Sequence, residues 1–101
     1  MALRDFDEYS LEELIEEIVK KAEEGRGGLA RPTHFISQRV KEEGRKDRPF
    51  EEWREFFGKI ERVIDSGHAG EQLGELFEIR FQLVVRMLES LYTASRQPVD
   101  T

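Results

Sequence analysis

Two histidines, several glutamate pairs, five serines and one glycine-rich turn are the residues of this 101-residue chain whose types could support reaction chemistry. None stands in a pattern that chemistry requires. A zinc site takes three or four ligands from Cys, His and carboxylates. There is no Cys, and neither His34 nor His68 is spaced from a second ligand on a helix, so no metal and no cofactor is expected. The pairs Glu12-Glu13, Glu16-Glu17 and Glu51-Glu52 fall on amphipathic segments, where carboxylates are solvated. General acid or base work needs one held in a pocket with a displaced pKa. Ser10, Ser37, Ser66, Ser90 and Ser95 lack a nucleophile elbow, and Gly25-Arg-Gly-Gly28 has neither Gly-Lys-Ser/Thr nor a preceding strand. The sequence therefore predicts no enzyme.

The remaining chemistry is charge. The net charge is −6, which argues against nonspecific nucleic-acid binding by the whole surface. Residues 1–25 carry nine acids and three bases, and residues 49–101 ten acids and six bases. Between them, residues 26–48 carry seven bases and three acids, a local excess of +4. Such a zone either evens out charge between neighbouring helices or contacts phosphate or an acidic protein. Arg45, Lys46 and Arg48 stand just before a segment that continues with Arg54, Lys59 and Arg62. Glu51 and Glu55 offer Arg54 and Lys59 partners at i,i+3 and i,i+4. Arg62 has no acid at i−4 and is the freer cation, so Arg45, Lys46, Arg48, Arg54 and Arg62 make a candidate phosphate-facing edge.

The element that would position these cations is a helix from about Pro49 to just before Asp65. Phe50, Trp53, Phe56, Phe57, Ile60, Val63 and Ile64 fall within one arc at 100° per residue, with Arg54, Lys59 and Arg62 on the other side. With Phe35, this segment holds half of the ten aromatic residues, which predicts that the core is built there. A first helix starts after Ser10, which with Glu13 forms a capping box. It carries Leu11, Leu14, Ile15, Ile18, Val19 and Ala22 as a stripe and ends at Gly25. A second is expected from about Pro32 to Glu43, with Pro32 in its first turn or Thr33 as its cap, and with Phe35, Ile36 and Val40 inward. Arg80 and Arg86 lie within a fourth and are expected to pair with acids at the core edge more readily than to meet a partner.

That fourth helix runs from about Glu71 to Ser95, roughly 37 Å. Its apolar residues surround nearly the whole axis, the pattern of a helix buried centrally or by another subunit. One domain of this length hardly covers such a helix, so self-association or docking through it is expected. The fold class is all-α: a small bundle of four helices with a long apolar C-terminal helix, a single domain over 1–101 with mobile ends at 1–9 and 96–101. No apolar stretch reaches the length of a membrane span, and the acidic N-terminus is unlike a signal peptide, which points to the cytoplasm.

Residues Pro49 to Val63, with Trp53-Arg54-Glu55-Phe56-Phe57 followed by Gly58-Lys59-Ile60-Glu61-Arg62-Val63, resemble a segment of the small helical subunit of type III CRISPR effector complexes. The resemblance covers about half the chain. It implies a non-catalytic subunit that stacks in several copies, is partnered by other subunits of the complex and touches the guide–target RNA backbone, with Arg54 as the residue the motif carries over. Arg45, Lys46, Arg48 and Arg62 join it on the charge pattern alone. The alternative is an acidic adaptor or inhibitor acting through the glutamate-rich face of the first helix, Glu12, Glu13, Glu16 and Glu17.

Overall fold

The computed structural model describes residues 5–43 and 48–95, with side chains through Thr93. Four helices form an all-α bundle: α1 Leu11–Glu23, α2 Ala30–Glu42, α3 Phe50–Asp65 and α4 Leu73–Ser95. α1 packs on α2 and α3, and α4 closes the bundle against α2 and α3.

The core is the set that periodicity selects. Leu11, Leu14, Ile15, Ile18 and Ala22 of α1, Ile36 and Val40 of α2, Trp53, Phe56, Ile60 and Val63 of α3, and Leu76, Ile79 and Leu83 of α4 are all buried. Trp53, 2% exposed, meets Phe56 edge-to-face with ring centroids 6.0 Å apart. Phe57, Ile64 and Phe35 pack at the margin.

Helix ends follow local chemistry. Ser10 Oγ accepts from the Glu13 amide at 3.1 Å while Glu13 Oε1 accepts from the Ser10 amide at 2.9 Å, completing the capping box. At the other end Gly25 takes φ 66°, and the Arg26 amide donates back to the Lys21 carbonyl at 2.8 Å. That left-handed residue and the six-to-one bond are the Schellman stop, which glycine allows because it lacks a Cβ.

Three boundaries differ from the sequence expectation. α2 begins at Ala30, a half-turn before Pro32, with Leu29 in the N-cap position. Thr33 is no cap; it is buried, and its hydroxyl has no hydrogen-bond partner. α4 begins at Leu73 because Gly70–Gln72 winds as a tighter 3₁₀ turn first. The expected mobile lead-in is partly organised: Phe6–Glu8 forms a 3₁₀ turn, Phe6 and Tyr9 pack on the core with rings 5.1 Å apart, and Arg39 donates to the Asp7 carbonyl. The remainder of both expected mobile ends, residues 1–4 and 96–101, lies outside the described residues.

α4 is two-sided rather than apolar all round. Leu76, Ile79 and Leu83 enter the core, with Met87 packed against them. Glu75, Glu78, Gln82 and Glu89 line one flank, and Arg80 interrupts the other. On the outer side Leu73, Phe77, Phe81, Leu88, Leu91 and Tyr92 are exposed. No helix among the described residues is long and apolar enough to cross a membrane.

Candidate interaction surfaces

Within the basic zone, Arg48 is taken up by the fold. Arg48 sits in the extended link before Pro49, where its guanidinium reaches three helices at once. Nη1 lies 2.8 Å from Glu12 Oε1 of α1 and 3.6 Å from Glu52 Oε1 of α3, and Nη2 lies 2.7 Å from Glu43 Oε1 just beyond α2. The guanidinium stacks over Trp53 and Phe56, 5.7 and 5.2 Å from their ring centroids. A planar fork of five donors suits this clamp, and lysine would not replace it. Burial by itself would lower the Arg48 pKa, but the hydrogen bonds and charges of Glu43 and Glu12 outweigh burial and raise it. At 17% side-chain exposure and with three carboxylates bound, Arg48 is not available to a phosphate. In the fold it serves as a structural clamp between the helices.

α3 presents the other cations as the helical wheel predicts, on the side away from the core. Arg54 is the most open, 67% exposed, with Glu51 at a loose 3.9 Å. Lys59 joins Glu16 of α1 and, at 3.6 Å, Glu55. Its pKa is raised, chiefly by the hydrogen bond to Glu16, against the opposing pull of burial. Arg62 was expected to be the freer cation for want of an acid one turn back. Its acid comes from across the bundle instead: it pairs with Glu23 of α1, although the side chain remains mostly exposed. Arg45 and Lys46 lie outside the described residues. Arg54 and Arg62 are thus the described members of the predicted edge that still reach solvent.

The glutamate face of α1 is engaged in the same way. Glu12 pairs with Arg48, Glu16 with Lys59 and Glu17 with Lys21, while Glu13 closes the capping box. Arg80 pairs with Glu61 at 3.7 Å and covers Phe77, and Arg86 pairs with Glu89 at 2.9 Å. Both arginines take the structural role that their positions suggest.

The histidines do not meet. His34 is exposed on α2, 3.7 Å from Glu75 of α4. His68, in the loop after α3, places Nδ1 2.9 Å from the Ala22 carbonyl and so helps to satisfy the last turn of α1. Among the described residues no three His, Cys, Asp or Glu side chains converge as a metal would require.

What sequence reasoning placed only loosely is the outer face of α4. Six large apolar side chains on one helix face exceed the scattered exposure of an ordinary surface, where single hydrophobics are unremarkable. The signal was present as the excess of apolar residues in that helix, but the inner and outer sets separate only once the packing of α2 and α3 against α4 is known. No known protein family, curated protein or solved structure matches the chain.

Proposed function

We propose that the chain is a non-catalytic helical subunit whose work is assembly: it stacks with copies of itself and with other subunits in a cytoplasmic complex. The observation that carries this reading is the open apolar face of α4, from Leu73 to Tyr92. A small bundle with a completed core has no folding reason to leave such a face in water, whereas a subunit buried by a neighbour does.

The resemblance of residues 49–63 makes that complex an RNA-guided, type III CRISPR-like effector. In this reading Arg54 and Arg62 touch the guide–target RNA backbone, where phosphate contacts position a strand without reading its sequence. Arg54 is the cleaner probe, because reversing Arg62 would also set a negative charge against Glu23. Arg54→Glu should weaken RNA retention by the assembled complex, more at low salt than at high, with helical circular dichroism unchanged. Retention equal to the unaltered complex across the salt series would remove RNA contact from the proposal. Co-purification from the native cell, with identification of the eluting proteins and nucleic acid, tests the assembly itself.

A further inference from the structure

The outer face of α4 is not only apolar but regularly spaced. Phe77, Phe81, Val84, Leu88 and Leu91 follow one another at steps of four, three, four and three. That is the a/d repeat of a two-helix seam, in which side chains of one helix insert between those of another. In this register the core-facing residues Leu76, Ile79 and Leu83 occupy the opposite side, so the bundle does not obstruct the seam. The flanking positions carry one charge on each side: Glu78 with Val85 and Tyr92 on one, Arg80 with Met87 on the other.

We propose that this seam is closed by the α4 helix of a second copy of the chain, running antiparallel. The inference rests on the self-association part of the reading above and fixes its surface and orientation. Two observations select a second copy as occupant. The first is area. Phe77, Phe81 and Tyr92 are 43%, 62% and 58% exposed, and Leu73, Leu88 and Leu91 are 38%, 60% and 49% exposed. Together these side chains leave on the order of 500 Å² of apolar surface. Two such faces, if covered along their whole length, remove about 1,000 Å² from water, the order a specific interface needs.

The second is charge and shape. With Val84 opposite the second copy's Leu88, Phe81 meets its Leu91, so the Phe81 ring of each copy faces a smaller aliphatic chain. Met87 and Val85 then lie against their own counterparts on the two sides of the seam, and Glu78 lies against Tyr92. No like charges oppose across the seam. A parallel pair would instead stack Phe77 on Phe77 and Phe81 on Phe81.

Light scattering on the full chain over a concentration series should give twice the mass of one chain, and Leu88→Glu should return it to a single chain with circular dichroism unchanged. Phe81→Glu should do the same. The chain has no cysteine, so orientation is read by cross-linking. Val84→Cys and Leu88→Cys chains, mixed and mildly oxidised, should form the mixed disulfide in clear excess over either self-disulfide. Self-disulfides at Leu88→Cys in excess would overturn the antiparallel arrangement. A dimer that survives both glutamate variants would overturn the seam while leaving self-association standing. A single-chain mass at every concentration would overturn both.

Discussion

α3 carries one apolar arc by sequence and α4 an excess of apolar residues around its axis, and the fold treats them differently. α3 has one apolar arc, and the bundle covers it: Trp53, Phe56, Ile60 and Val63 are buried, and its cations are tied to α1 through Lys59–Glu16 and Arg62–Glu23. α4 has two apolar faces. The bundle takes the inner one and leaves Phe81, at 62% exposure, and Leu88, at 60%, on the outside. A helix with one stripe is finished by folding, whereas a helix with two is finished only by something further. The basic side of α3 gives the complementary lesson. Charge without a local partner in sequence finds one when a neighbouring helix supplies acids at matching height.

The contrast can be broken or sharpened by substitution. The largest effect is expected at the centre of α3, where Trp53→Ala should cost about 3–5 kcal/mol in denaturant unfolding. A loss below about 1 kcal/mol would mean that the ring is not the keystone of the covered face. Within α4, Ile79→Ala should cost about 2–5 kcal/mol, while Phe81→Ala should stay within about 0.5 kcal/mol when measured dilute enough to hold single chains. Equal losses at the two positions would erase the distinction between the faces.

Arg48→Met should cost about 1–3 kcal/mol, because it leaves the Glu43 carboxylate partly buried without its guanidinium. Glu43 Oε2 is already without a partner, and the double variant Arg48→Met/Glu43→Gln should recover part of the loss. The smallest effect concerns pH. The Lys59 pKa is raised above its ordinary 10.5 by Glu16 and Glu55, so the folded state holds that proton more tightly than the unfolded chain. The resulting stability is complete below pH 10.5 and declines as pH climbs through the higher folded value. Lys59→Met should flatten that alkaline decline in thermal unfolding curves. A slope identical to that of the unaltered chain would show that the Glu16 pairing contributes nothing measurable.

The legible parts of the fold are those set by neighbours in sequence. The Ser10–Glu13 box, the Gly25 stop, the apolar arc of α3 and the class itself follow from chemistry acting over one or two helical turns. Thr33 misleads as a cap because burial, not local hydrogen bonding, holds it. Phe6 and Tyr9 sit in a stretch too short and acidic to read as ordered, and it is the bundle surface that orders them.

The candidate surface was legible in substance and not in shape. The sequence marked the fourth helix as carrying more apolar residues than one domain covers, and it marked residues 26–48 as locally basic. Periodicity alone determined which side chains share a helix face, because helical geometry fixes angles to within a few degrees. It could not determine which face meets another helix. Tertiary packing decided that Arg48 joins Glu12, Glu43 and Glu52, that Arg62 finds Glu23, that His68 closes α1, and that Phe77, Phe81 and Leu88 remain outside. Those outcomes rest on distances between segments 35 or more residues apart as well as on near neighbours, and no local rule encodes the relative height and rotation at which packed helices meet.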